Sequence, residues 1–325
     1  MRNTLLFLLF LLMIITKGQS QNSFVHPDYI RVFPHDLQVS VFSKYTLDKS
    51  SINADNSRYY YQSQNLSPSF RLQYGKWGFG FQLPVNFLRQ AKRQSSTLGI
   101  QIQAFPSSMI INAGISRLKG YYQNDPELQE LTTINNPLVW RLFFNPLYVF
   151  NGKKFSMSSL FQLDRIQLQS QGTPLAGIRL DYLHLKDIAS QEDKNNSTLL
   201  DKYAFRQSGI EFGYAYTYVL SEKYFVAAFL KGDFSQTKFQ YKREGVNPNF
   251  SKWSFTPINE FFLTLGYQTD QFFSSIQLTN RKQSITSGEI EVENKALTVQ
   301  LLVGFRFYRP GLERRVLAKV KKWRE

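Results

Sequence analysis

The chain holds three histidines, His26, His35 and His184, and no cysteine. His184 stands close to Asp181 and Lys186 near the end of a candidate strand, and serines are plentiful elsewhere. A serine nucleophile, a histidine base and an acidic or amide orienter would be acyl-transfer chemistry, the kind a lipid-processing enzyme performs. A histidine at a strand end is far more often an ordinary residue, so the expectation is no catalytic site and no enzymatic activity. No metal-ligand spacing, P-loop or glycine-rich phosphate fingerprint appears, and no cofactor or metal is expected. Without cysteine the chain has no disulfides, no thiolate metal ligands and no lipid-anchored lipobox.

The charged residues follow a different order. In residues 297–307, Leu297, Val299, Leu301, Val303, Phe305 and Phe307 alternate with Thr298, Gln300, Gly304 and Arg306, and Leu302 is the exception. Residues 209–218 repeat the pattern, with Ile210, Phe212, Tyr214, Tyr216 and Tyr218 against Gly209, Glu211, Gly213, Ala215 and Thr217. Period-two alternation makes one face apolar and the other wet. Repeated along the chain, it implies an all-β fold, a transmembrane antiparallel β-barrel with a polar lumen. Alternation assigns Arg71, Arg141, Asp164, Arg179, Asp181, Glu211, Lys231, Asp233 and Arg306 to that lumen. Charges in a narrow barrel must pair, because an unpaired buried ion is costly. The near balance of signs suggests an internal ion-pair network; a selective anion pore would show an excess of one sign. The outward face carries Trp77, Phe79, Phe81, Phe70, Tyr74, Trp140, Phe144 and the three tyrosines of 214–218, which suits interfacial aromatic girdles.

Thirteen candidate strands can be drawn, at about 36–47, 66–74, 77–85, 96–105, 108–119, 137–150, 153–165, 174–186, 206–220, 223–235, 259–268, 271–281 and 295–308. Short connections at Gly75-Lys76, Pro106-Ser107, Asn151-Gly152, Ser221-Glu222 and Thr269-Asp270 alternate with long polar ones. Asn151-Gly152 reads as a hairpin with a type I′ turn. Short turns on one side and long loops on the other are the outer-membrane pattern, with the short side periplasmic. A single-chain bacterial barrel has an even strand count, so the parity fails between 153 and 187. Residues 165–173 are either a fourteenth strand or an inward excursion that leaves twelve; about 12 strands (12–14) are expected, with twelve favoured.

Residues 1–20 carry the parts of a secretory signal: Arg2, an apolar run from Leu5 to Ile15, and Gly18-Gln19-Ser20 before a cut. The run is too short for a helical span, which needs about 20 apolar residues. The organisation read from the chain is therefore a cleaved signal peptide at 1–20, a periplasmic N-terminal segment at 21–35, a β-barrel at 36–308 and a basic C-terminal tail at 309–325. In the tail Leu312, Val316, Val320 and Trp323 recur at helical spacing among basic residues, the pattern of a short amphipathic helix at a membrane surface. Aromatics make up 16% of the chain while mean hydropathy is only −0.32, as expected when half of each strand faces water. The formal charge of +15 is concentrated in part in that tail, and no nucleic-acid partner is expected of an exported chain.

Three stretches resemble an uncharacterised family of outer-membrane barrels from Bacteroidetes-type bacteria, a domain of unknown function. They are Asn65-Leu66-Ser67-Pro68 with Lys76-Trp77-Gly78-Phe79-Gly80 and Leu83-Pro84; Asn151-Gly152 followed by Gln167, Ser170 and Gly172; and Leu265-Gly266-Tyr267. Thr173 and Gln268 stand where the family pattern has serine and asparagine. The resemblance implies location in the outer membrane of a Gram-negative bacterium and supplies no activity. The expected role is structural, scaffold or narrow passage. Alternatives are a porin-like channel or transporter for small or amphipathic solutes, and a lipid-modifying enzyme. Expected partners are outer-membrane lipids, lipopolysaccharide and the barrel-assembly machinery, with a small-molecule solute left open.

Overall fold

The computed structural model describes residues 25–33, 36–54, 57–84, 96–106, 108–119, 122–124, 131–133, 138–161, 165–186, 202–242, 249–287 and 290–308. In chain order the strands are β1 (Ile30–Val32), β2 (Asp36–Ala54), β3 (Ser57–Tyr74), β4 (Trp77–Gln82), β5 (Ser96–Ala104), β6 (Met109–Lys119), β7 (Tyr122–Asn124) and β8 (Leu131–Thr133). They continue with β9 (Leu138–Val149), the short helix α1 (Met157–Leu160), β10 (Arg165–Gln167), β11 (Gln171–Lys186), β12 (Lys202–Val219), β13 (Tyr224–Lys242), β14 (Asn249–Gln268), β15 (Phe272–Ser287) and β16 (Ile290–Tyr308).

Twelve of these strands, β2–β6, β9 and β11–β16, pair antiparallel with their neighbours, and β16 pairs back to β2 from Tyr308↔Asp36 to Glu291↔Asn53. The sheet therefore closes on itself as a barrel, the form that pairs strand backbone groups without water, although the β14–β15 ladder stops at Glu260↔Arg281, short of both strand tips. Burial follows the alternation: Leu297, Leu301, Val303, Phe305 and Phe307 are exposed on the outer wall, while Leu302 and Arg306 are buried inside. The β3–β4 turn uses Gly75 at φ +54°, a left-handed conformation that favours glycine.

Three sequence expectations are corrected. The long connections 48–65, 236–258 and 282–294 are largely strand: β2 and β3 stay paired up to Ala54↔Ser57, and β15 and β16 up to Ser287↔Ile290. Beyond the lipid both faces of a strand meet water, so the alternation fades although the backbone ladder continues. Residues 153–165 are not a strand; they hold α1 and the start of β10. Asn151-Gly152 is not a type I′ hairpin turn, for the Asn151 carbonyl accepts from the backbone N–H of Lys154 and Phe155, a helical turn. The apolar side chains that follow, Phe155, Met157 and Leu160, are at most 4% exposed and pull the chain inward. The leader at 1–20 and the tail helix at 309–325 lie outside the described residues.

Candidate functional site in the lumen

Two structures fill the lumen, a plug at the short-turn end and a charged cluster above it. The plug begins where β9 ends. From Asn151 the chain turns in, forms α1, and runs out through β10, which pairs with β1 from Ile30↔Gln167 to Val32↔Arg165. Phe155, Met157 and Leu160 pack against inward-facing Ile110, Leu147, Val149, Leu175, Ala215, Phe225, Ala227, Phe229 and Phe262. These positions are lumen-facing on five or more strands, so an apolar cluster spans that part of the barrel end. Phe161 adds ring contacts to Phe105 at 6.3 Å and Phe262 at 5.5 Å.

Gln167 is the polar hub of the plug. Its Oε1 accepts from the Ser156 N–H at 2.9 Å, and its Nε2 donates to the carbonyls of Lys154 (2.7 Å), Gln169 (3.0 Å) and Tyr29 (3.2 Å). One amide thus joins the entry, the exit and the N-terminal segment, and gives partners to the backbone groups of Lys154, Ser156 and Gln169. Ser170 Oγ accepts from the Val219 N–H at 2.9 Å, tying the exit to the end of β12. Asn151 donates its backbone N–H to Thr173 Oγ1 at 2.9 Å. Gly172, already in β11, faces outward, where a Cβ would collide with the Tyr214 and Tyr216 side chains. Residues 165–169 therefore leave the wall, while 171–173 belong to it. At the same end Arg31 pairs with Asp270 at 3.0 Å, and the Arg306 guanidinium lies 4.9 Å from the Phe33 ring and 4.6 Å from that of Phe273. Arg306 also donates to the Thr269 carbonyl at 2.6 Å. Lys76 and Trp77 sit at the β3–β4 turn, where the Lys76 carbonyl accepts from the Phe105 N–H at 3.1 Å.

Above the plug, six of the residues assigned by alternation meet in one cluster. Arg141 grips Asp181 through two parallel bonds, Nε–Oδ1 at 3.0 Å and Nη2–Oδ2 at 2.6 Å. Arg179 lies 3.4–3.5 Å from Asp181, Glu211 and Asp233, and Lys231 lies 3.4 Å from Glu211 and 3.1 Å from Glu260. Asn145 donates to Glu211, and Asn259 to Asp233 at 2.9 Å. A bulge shapes this corner: Lys231 pairs with Glu260 but Asp233 with Thr256, leaving Pro257 to Asn259 opposite a single residue. Pro257 has no N–H to offer a ladder, which suits it to a bulge.

Arg71 faces the lumen apart from this cluster, and Asp164 lies outside the described residues. Four more charged groups line the same cavity: Lys44, Asp48, Glu260 and Arg281. Parity could have found them. Lys44 continues the inward row of Gln38, Ser40 and Phe42; Glu260 shares its face with Thr264 and Gln268; and Arg281 follows Ser275 and Gln277. The cavity measures about 410 Å³, with Met157 and Phe161 of the plug at its floor.

Asp181 points inward to Arg141, whereas His184 has the opposite parity and meets Tyr182 Oη at 3.2 Å through Nδ1. The two side chains stand on opposite faces of one strand and form no relay. Among the described residues no group of three or more His, Asp or Glu could hold a metal.

No curated protein matches the sequence. Solved outer-membrane structures resemble the chain at low identity. The outer membrane protease OmpT from Escherichia coli has 7% identity and a TM-score of 0.40, with 85% of this chain and 98% of that one covered. An outer membrane channel from Pseudomonas putida F1 has 12% identity and a TM-score of 0.39, covering 87% and 99%. The outer membrane protein OprG from Pseudomonas aeruginosa has 10% identity and a TM-score of 0.28, covering 86% and 100%. The chain is a closed twelve-stranded antiparallel β-barrel, and residues 26–307 match one family over nearly the whole barrel, so it belongs to the family described as domain of unknown function (DUF4421).

Proposed function

We propose that this protein is a non-enzymatic outer-membrane barrel with a closed lumen, serving a structural, scaffold or narrow-passage role. The observation that carries the reading is the plug: an apolar cluster and a glutamine hub hold α1 and β10 across the short-turn end. The charged cluster above it is internally paired, as a stabilising network should be and an ion path of one sign should not. In this reading the leader at 1–20 is removed on export in a Gram-negative bacterium. The barrel-assembly machinery inserts the chain among outer-membrane lipids and lipopolysaccharide, and the basic tail at 309–325 rests on the periplasmic surface.

Planar-bilayer recording tests the reading. The wild-type barrel should show little steady conductance, and replacing residues 153–169 by a short Gly-Ser linker should open a persistent, stepwise current. A large, stable wild-type current that the replacement leaves unchanged would favour the porin-like alternative instead.

A further inference from the structure

The outer wall changes from apolar to basic at a defined height. On β16 the outward side chains from Phe307 to Leu297 are apolar at every second position, and the next outward residue is Lys295. Ten residues of tilted strand rise roughly 25 Å, the height of the apolar band of a membrane barrel. Lys295 therefore stands just above the lipid core, at the end away from the short turns. The strands on either side do the same: Lys49 follows Tyr45 and Leu47 on the outward face of β2, and Lys282 follows Leu278 and Asn280 on that of β15.

The register sets the three lysines side by side. Lys282 lies directly across the ladder from Lys295, and Lys295 directly across from Lys49. Like charges in that position destabilise a sheet. Glu293 answers two of them, with Oε1 3.0 Å from Lys282 Nζ and Oε2 3.0 Å from Lys295 Nζ. Lys49 has no ion pair among the described residues, so the row keeps two positive charges in excess. Glu291 stands farther out on β16, and among the described residues these two glutamates are the wall's only outward carboxylates. The far side of the barrel repeats the imbalance, for outward Arg206 and Lys238 face each other across β12 and β13 with no carboxylate between them. The lumen pairs most of its charges; the outer wall leaves cations together.

A cation row at the upper margin of the lipid calls for an anion anchored in that same lipid. Lysine binds phosphate as a point charge. A phosphomonoester carries about −1.5 to −2 at neutral pH, which matches the excess of the row; the phosphodiester of a simple phospholipid carries a single charge. We propose that the Lys282–Lys295–Lys49 row binds the phosphomonoester of a phosphorylated glycolipid in the outer leaflet, the headgroup chemistry of lipid A. The acyl chains of that lipid lie along the apolar wall below, past Leu297 and Tyr45. The site rests on the outer-membrane placement given under the proposed function and is independent of the plug.

Native mass spectrometry of the refolded barrel in detergent, titrated with lipid A, tests the proposal. The wild type should bind lipid A at least about tenfold more tightly than lipid A stripped of its phosphates, and more tightly than phosphatidylglycerol. Inorganic phosphate in excess should not displace it, because the acyl chains supply part of the binding. Lys49→Gln/Lys295→Gln leaves only the Lys282–Glu293 pair and should weaken lipid A at least about tenfold, with the stripped lipid unchanged. Lys153→Gln/Lys223→Gln removes the same charge from exposed positions at the short-turn end and should leave lipid A affinity as it was. The heat-dependent mobility shift shows that each variant is folded. No binding to the wild type, equal binding of the stripped lipid or of phosphatidylglycerol, displacement by inorganic phosphate, unchanged affinity in a folded Lys49→Gln/Lys295→Gln barrel, or an equal loss in the control pair would each overturn the proposal. Conductance is read separately, so failure here leaves the closed-lumen reading standing.

Discussion

Arg179→Met is the sharpest perturbation of the charged cluster, because the structure says which neighbour suffers. Asp181 keeps its two-bond grip from Arg141, and Glu211 keeps Lys231 and Asn145. Asp233 is different: Arg179 at 3.4 Å is its one ion pair among the described residues, leaving only amide bonds from Asn259 and Gln207. At 1% exposure it has no access to bulk water. Removing one partner of a buried pair costs about 3–5 kcal/mol, most of it the penalty of the stranded charge. Methionine is shorter than arginine but close to it in volume and adaptable in shape, so lost volume adds little. If the stranded charge is the cause, Asp233→Asn in the same chain should recover a coupling of about 1–3 kcal/mol. The assay is urea unfolding in phospholipid vesicles, followed by the mobility difference between unboiled and boiled samples. A single-variant loss below about 0.5 kcal/mol, or strict additivity in the double variant, would refute the argument.

Other consequences are simpler to read. Leu160→Ala removes a fully buried side chain from the plug cluster and should cost about 2–5 kcal/mol in the same unfolding assay. Gln167→Leu strands the Ser156 N–H and leaves the carbonyls of Lys154 and Gln169 without their side-chain donor, while Tyr29 keeps the Leu168 N–H; limited proteolysis should then cut within 150–170 in a barrel that still shows the heat-dependent mobility shift. His184→Ala should leave phospholipid and lipid A turnover at the level of the wild type, and a selective loss of turnover would revive the enzyme reading. A peptide of residues 309–325 should gain helical circular dichroism on anionic vesicles and not on neutral ones, and absence of any helical signal would leave only a basic tail.

The barrel wall was legible because lipid on one side and a polar lumen on the other enforce period two, and that constraint holds only at membrane depth. Ser57 to Asn65 and Lys282 to Asn294 looked like loops for the same reason: their strands stand clear of the lipid, where neither face must be apolar. The plug was visible only as a failed strand count. Phe155, Met157 and Phe161 alternate well enough with their neighbours to imitate a strand, and a helix of four residues is too short to show its own period. Gln167 drew notice through the family resemblance, but its role as a hub depends on backbone groups from Tyr29 and Lys154 that only the fold brings together. In the lumen, Arg141, Arg179, Asp181, Glu211, Lys231 and Asp233 lie on the face alternation gave them. Glu260 followed the same rule unnoticed, and Asp48 lay beyond the end drawn for its strand.

The account turns on residues 153–169 lying inside the barrel, and site-directed thiol labelling addresses that most directly in a chain with no native cysteine. Ser158→Cys is nearly isosteric and replaces a side chain that is 2% exposed in α1; Ser221→Cys marks an exposed turn at the same end. With a membrane-impermeant maleimide applied to both sides of the folded barrel, the cysteine at 221 should label at once and the cysteine at 158 only after heat unfolding. Equal labelling rates at 158 and 221 in the folded protein would place the segment outside the lumen and contradict the account.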